Sequence, residues 1–489
     1  MLFNSHIFIL LFLPLLLAGW YFLNWKKKFQ LAQGYLIGMS LWFYAYANLQ
    51  YLWLLLFSCL MGWLLSCLPE KISSEKGKKA LIGIGCVFHL GLLGYFKYSN
   101  FFLENLNTVF HTDFPMLQIL LPIGISFYTF QQLAYLIDRC RGDAPRDRFL
   151  DYLTFMVYFP QLLQGPILLR SEFMEQLKEP ERRRFHAERF SEGIQFFVFG
   201  LAKKVLLADT LAKAVNYGYS NVSMLDSISA LLLAVGYLTE LYFDFSGYCD
   251  MAIGLGKMIG LEVAENFDAP FHSASVKEFW RRWHMTLGRF FTRYVYIPLG
   301  GNRRGKIRTL CNVMIVMLLS GLWHGAAWTF VLWGFLHGVG MIWDNLEHPH
   351  LPKKWMRQAV TFAYVCMTFV FFRAESIAQG FDVLKSIVSL KWNGFVFQMA
   401  SALDMTEFYM ITKALSMKLP GLLSWFWLGI FVVLIAICVR VLSGKKVSDV
   451  VALQKRKGYG RLYPVLLAVL FTWSMISMTG VSEYLYFSF

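Results

Sequence analysis

Across 489 residues the chain is 57% hydrophobic and only 16% charged, with a mean hydropathy of +0.48, a balance that excludes a soluble globular domain and marks an all-α polytopic membrane protein. The net charge of +15 is dispersed over loops between apolar stretches, which argues against a nucleic-acid surface and for membrane topology and contact with anionic membrane lipid. Eight cysteines without a single CxxC pair suggest neither a disulfide framework nor a zinc site and read as small apolar residues.

A transmembrane helix needs about 20 mostly apolar residues. In chain order the candidate stretches are 6–24, 33–48, 52–68, 80–97, 117–138, 150–168, 190–212, 226–246, 248–262, 309–322, 324–345, 356–373, 421–440 and 462–480. Several are short or interrupted, so re-entrant or interfacial pieces are expected among them, packed inside protein or lining a wet cavity. The first stretch has no charged region before it and no small-residue cleavage site after it, and reads as a retained span rather than a signal peptide. Lys26, Lys27 and Lys28 follow that stretch, Lys76, Lys78 and Lys79 follow the third, and Arg139, Arg141, Arg146 and Arg148 follow the fifth. Residues 277–308 hold nine Lys or Arg against Glu278, and 441–461 hold six against Asp449. The positive-inside rule places all these loops in the cytoplasm. Residues 98–138 contain no Lys or Arg, so 99–116, the N-terminus and the tail after 480 are expected outside. Residues 374–420 mix apolar, Gly and weakly charged positions and are expected to hold helices lying in the interface, or a partner site. With no internal repeat or low-complexity linker, the whole of 1–489 reads as one integral domain, with a core at about 117–345 and C-terminal helices and tail at 356–489.

Several strings carry more polarity than a scaffold needs. LPIGISFYTFQQLAYLID (121–138) sets Gln131, Gln132 and Asp138 on an apolar helix, and YFPQLLQGPI (158–167) breaks another span at Pro160 and Pro166, next to Gln164. ELYFDFSGYCDMAIG (240–254) puts Glu240, Asp244 and Asp250 inside membrane-embedded sequence, where a carboxylate is costly and faces a polar interior. For Asp244 two readings stand side by side: a group lining a pore, or the partner of a Lys or Arg on a neighbouring element.

Residues 266–306 contain too much charge to span, yet Phe279, Trp280, Trp283, Phe290, Phe291, Tyr294 and Tyr296 give them a strong apolar side. The segment, which opens on Asn266, is expected along the cytoplasmic interface or dipping into it. Arg281, Arg282, Arg289 and Arg293 beside Trp283 suit a phosphorylated, planar ligand such as coenzyme A, because guanidinium grips phosphate bidentately and stacks on rings. His284 lies inside this segment. His324, in SGLWHGAAWTF (320–330), has apolar sequence on both flanks. An imidazole at membrane depth suits general-base catalysis of acyl transfer, taking the hydroxyl proton as the oxygen attacks a thioester, although a core histidine bonded to a carbonyl fits as well. His337, in LWGFLHG, reads as structural.

The strings LPIGISFYTFQQLAYLID, FPQLLQGPI, YFDFSGYCDMAIG, KEFWRRWHMTLGRFFTRYVYIPLGG, LSGLWHGAAWTFVLWGFLHG and FFRAE follow one another in an order that resembles the membrane-bound O-acyltransferases (MBOAT), in the bacterial branch that includes the alginate O-acetyltransferase membrane subunit. The resemblance implies a ring of tilted helices around a funnel or pore, with His324 catalytic and His284 the second functional position. It also implies acetyl-CoA as co-substrate, with no permanently bound cofactor and no metal, a bacterial inner-membrane location, and a periplasmic SGNH-type acetyltransferase or acetyl-carrier partner. The terminal SEYLYFSF (482–489) is similar to an aromatic-Tyr-aromatic motif of cell-envelope acylation systems, which makes Tyr486, ahead of Tyr484, a candidate acyl relay; an interfacial aromatic anchor is the other reading. Alternatives are the D-alanine export component of teichoic acid modification and a transporter without chemistry. The polymer acetylated stays open among alginate-like exopolysaccharide, cellulose and peptidoglycan.

Overall fold

The computed structural model describes residues 1–346, 352–442, 444–458, 460–478 and Leu485. Every regular element among them is helical. Seven helices are long and apolar enough to cross a membrane: Phe8–Trp25, Leu49–Lys71, Glu75–Phe110, Ser227–Ile259, Lys306–His324, Lys354–Arg373 and Pro420–Leu442. Trp328–Trp343 and Leu462–Ser477 are shorter apolar helices.

The centre of the bundle is Ser227–Ile259, a single helix of 33 residues. Two spans, 226–246 and 248–262, were expected here, and the chain runs through without a break. Gly247, at the gap between them, does not break the helix. Instead of ending the helix, it lets the backbone touch the neighbouring helix: a Cβ on Gly247 would lie 2.8 Å from the carbonyl oxygen of Gly200, and one on Gly254 would lie 2.6 Å from that of Gly193. Two glycines seven residues apart on each helix thus form one close seam, the packing that small residues permit inside a bilayer. At about 1.5 Å per residue the central helix is ~50 Å long, more than a hydrocarbon core needs, so it tilts or projects.

Its partner runs from 187 to 220 as α-helix, a π-helical turn at Lys203–Ala208, and α-helix again, longer than the 190–212 span expected. The π turn accompanies two lysines, the half-buried Lys203 and the buried Lys204, that answer the carboxylates of the central helix. Lys204 Nζ donates to Asp244 Oδ1 at 2.6 Å and lies 2.8 Å from Asp209; Lys203 Nζ donates to Asp250 at 2.6 Å. Asp244 is thus ion-paired, and it also lines a cavity.

Two other expected spans are not continuous helices. In 117–138 the helix begins only at Ile125 and runs to Arg141, because Pro122 and a left-handed Gly124 (φ +78°) hold the preceding chain out of helical form. A Cβ on Gly124 would lie 2.5 Å from Leu162 O, so only glycine fits. The 150–168 stretch breaks into Phe149–Val157 and Phe159–Leu162 around Tyr158, the non-helical cap of a short helix whose first turn holds Pro160. The break at 157–163 is buried, as re-entrant backbone must be, whereas Leu117 and Leu120 ahead of Ile125 are exposed.

The basic loops gather at one face, tied by Arg139–Glu70 at 2.9 Å, Arg293 to Asp138 and Asp143 at 3.0 Å each, and Lys446 to Glu265 at 2.8 Å and Asp268 at 3.4 Å. The opposite face collects the ends at 220, 227 and 373 with the short helices Ile377–Val388 and Phe395–Ser401. Asp226 caps the central helix there, accepting from Ser229 N at 2.8 Å and from the backbone N–H groups of Asn393 and Gly394 at 3.1 Å each.

Candidate active site

Lys306–His324 and Trp328–Trp343 form an antiparallel hairpin with only Gly325, Ala326 and Ala327 between them. Two glycines set the spacing: a Cβ on Gly321 would lie 2.3 Å from Phe330 O, and one on Gly334 would lie 2.5 Å from Met317 O. The close crossing fixes His324 as the last residue of its helix. Its ring is buried among Trp323, Trp333 and Phe372, with centroids 4.9, 5.1 and 5.1 Å away.

His284 approaches from the basic face. The 266–306 segment dips inward as Val276–Arg282, Met285–Phe291 and a π turn to Tyr296, burying Phe279, Trp283, Phe290, Phe291 and Tyr294. Between the first two helices His284 takes a left-handed backbone (φ +47°), a conformation uncommon outside glycine and held by its surroundings. Met285 N donates to Asn266 O at 3.0 Å, and Thr286 N and Oγ1 donate to Asn266 Oδ1 at 3.1 and 3.0 Å. Because a backbone N–H can only donate, the Asn266 atom in this cluster is its oxygen, and His284 Nδ1, 3.2 Å from it, carries the proton. His284 Nε2 is left as a lone pair, buried and without a hydrogen-bond partner. The His284 and His324 ring centroids are 6.5 Å apart.

His337 is fully used. Its Nδ1 accepts from Trp280 Nε1 at 3.2 Å and its Nε2 donates to Thr368 Oγ1 at 2.9 Å, while the threonine proton goes to Val365 O. This is a structural histidine.

The other sequence candidates divide. Asn266 holds His284. Gln131 donates to Phe155 O at 2.9 Å and ties the broken helix in place. Gln164 is buried with neither side-chain atom bonded. Arg289 pairs with Glu172, at 2.9 Å to one oxygen, and Arg293 with Asp138 and Asp143; Arg282 pairs with Glu278 at 2.9 Å. Trp283 stacks on Phe279 inside the core instead of beside a guanidinium. Of the expected arginine cluster, only Arg281 is exposed and without an ion pair among the described residues. Tyr484 and Tyr486 lie outside the described residues, but Leu485 N donates to Asp244 Oδ2 at 3.2 Å.

Sequence reasoning missed Lys97. It sits in a π turn of Glu75–Phe110 and donates to the backbone carbonyls of Trp323 and His324 at 2.8 Å each, while the next residue, Tyr98, donates to Leu322 O. Those carbonyls belong to a helix C-terminus and lack partners within their own helix. A lone lysine near the end of an apolar stretch gives no sign of partners more than 200 residues away.

Cavities approach this histidine pair from both faces. On the face away from the basic loops lies one of about 710 Å³, lined by Lys204, Asp244, Glu240, Arg373, Phe372 and Leu485 among others, with the Phe372 ring between it and His324. From the basic face a groove of about 370 Å³ past Lys257 and Glu265 continues into a small space that reaches Asn266. Two imidazoles between openings to opposite faces can accept a proton while an acyl group passes from one side to the other.

The match to known proteins accords with this arrangement. Residues 146–380 match the membrane-bound O-acyltransferase family. The chain is 36% identical over 423 residues to the peptidoglycan O-acetyltransferase of Helicobacter pylori, covering 80% of each, and 38% identical over 407 residues to the probable alginate O-acetylase AlgI of Pseudomonas aeruginosa, covering 80% of this chain and 75% of that one. It is 30% identical over 253 residues to a teichoic acid D-alanyltransferase of Streptococcus thermophilus, covering 49% of this chain. The protein is thus a multi-pass membrane O-acyltransferase and belongs to the MBOAT family.

Proposed function

We propose that the protein transfers acetyl from acetyl-CoA at the basic, cytoplasmic face to a hydroxyl on the opposite side, for O-acetylation of an extracytoplasmic polysaccharide by way of a periplasmic SGNH-type acetyltransferase or acetyl-carrier partner. The observation that carries this reading is the His284–His324 pair between cavities from the two faces. His324 takes the proton of the attacking hydroxyl as general base and returns it to the leaving thiolate. His284, with Nδ1 held by Asn266, presents a lone pair beside it. Arg281 is the arginine left to meet the phosphates of the coenzyme. The membrane is the bacterial inner membrane, with both termini outside. The longer and closer similarity to O-acetylases than to the D-alanyltransferase supports acetyl as the group moved.

His324→Ala tests the chemistry. It should lower polymer acetylation by more than ~10²-fold, with the protein still inserted at the wild-type level. Normal acetyl content on the envelope polymer of that strain would sink the mechanism. Tyr486 is the proposed outward carrier, because Leu485 beside it lines the 710 Å³ cavity. Tyr486→Phe should stop export of acetyl while thiol release from acetyl-CoA persists. Wild-type polymer acetylation in that variant would leave the tail as an anchor.

A further inference from the structure

Lys97 does more than a helix cap requires. A neutral donor would satisfy the carbonyls of residues 323 and 324, and a buried ammonium carries a desolvation cost that such a cap does not demand. No carboxylate among the described residues forms an ion pair with it, and two of its three N–H groups serve the carbonyls. The same side chain lines a cavity of about 60 Å³ together with His324, Leu121, Pro122, Ile123 and Leu163. A single water needs roughly 10–15 Å³ by this kind of measure, so the space holds a few heavy atoms and no more.

We infer that this cavity is the seat of the acyl group during transfer, that it takes a two-carbon acyl thioester, and that the Lys97 ammonium stabilises the oxyanion. The assignment rests on the acyl-transfer reading above. The acceptor oxygen bonds to the carbonyl carbon, its proton goes to His324, and the carbonyl π pair moves onto oxygen beside Lys97. As the C=O re-forms, the C–S bond breaks and the thiolate takes the proton from the imidazolium. A fixed donor held by the helix end at the developing charge acts without reorganisation. The apolar walls, with Leu163 buried among them, leave no room for a longer chain.

Membrane vesicles from the producing organism, which keep the native acceptor, test this with radiolabelled acetyl-CoA and propionyl-CoA. Lys97→Met should lower kcat for acetyl transfer by about 10²–10³-fold with KM for acetyl-CoA little changed, and Lys97→Arg should recover part of it. Leu163→Ala should raise the propionyl-to-acetyl ratio of kcat/KM by roughly 10-fold or more, the worth of one methylene in an apolar pocket. A folded Lys97→Met enzyme with kcat within threefold of wild type overturns the oxyanion role. An unchanged acyl ratio in Leu163→Ala overturns the cavity assignment even if Lys97→Met fails to fold. Wild-type vesicles that transfer neither acyl group overturn the donor reading itself, a different result from either.

Discussion

Two sets of ionisable side chains are buried in this core, and their surroundings treat them in opposite ways. Between 187–220 and the central helix, Lys203 meets Asp250 and Lys204 meets Asp244 and Asp209, so most charges are answered. At the hairpin, His284 keeps a bare Nε2 and Lys97 meets two backbone carbonyls but no carboxylate among the described residues. Burial alone does not mark function. An ionisable group whose capacity is matched reads as structure, and one whose capacity is left open beside a cavity reads as chemistry. Glu240 is the intermediate case: it lies on the matched helix, yet its Oε2 has no partner and it lines the outer cavity.

The largest break in the comparison comes from the matched side. Lys204→Met leaves Asp244 as an uncompensated buried carboxylate and should cost about 3–5 kcal/mol, whereas adding Asp244→Leu should recover much of it, because an apolar pair of similar volume is often neutral. Thermal unfolding in detergent would show the single variant far below the double. Equal melting temperatures would mean that the ion pair is solvated by the outer cavity rather than buried.

How much of this was legible in the sequence follows from the same distinction. Helices 306–324, 328–343, 354–373 and 420–442 appear where hydropathy placed them to within a few residues, because no Asp, Glu or internal Pro interrupts them. The central helix was expected as two spans meeting at Gly247; the residues that pair and pack along it, Lys203, Lys204 and Gly200, are on another helix. His324 stood out as an imidazole in an apolar string, His284 lay in a charged interfacial segment, and both took their roles from the resemblance, but Asn266 as the holder of His284 and Lys97 as the cap of His324 depend on contacts across 18 and 227 residues. The arginines near His284 looked available for a phosphorylated ligand because Asp138, Asp143 and Glu172, which occupy two of them, lie far away in the chain.

A second variant works on the open side. Asn266→Leu removes the acceptor that fixes the His284 proton on Nδ1, so both ring tautomers become accessible and Nε2 no longer presents only a lone pair. Turnover should fall by roughly 10²-fold, the lower end of what a positioned proton acceptor contributes. The same change leaves the N–H and hydroxyl of Thr286 unsatisfied and should lower stability by about 1–3 kcal/mol. Melting measurements and acetyl transfer on the same preparation separate the two effects. Loss of stability with turnover per folded molecule intact would move His284 to the matched, structural class.

His337 supplies the control with the smallest effect on chemistry. It is buried like His324, stands only 4.8 Å from Trp333 by ring centroids, and has both nitrogens hydrogen-bonded, to Trp280 and Thr368. His337→Phe keeps the aromatic contacts with Trp280, Trp333 and Phe369 but strands the Trp280 N–H, at a cost of about 1–3 kcal/mol. Turnover per folded molecule should stay at the wild-type value, while the melting temperature falls. If turnover dropped instead, His337 would belong to the transfer machinery, and its two hydrogen bonds would not mark it as structural.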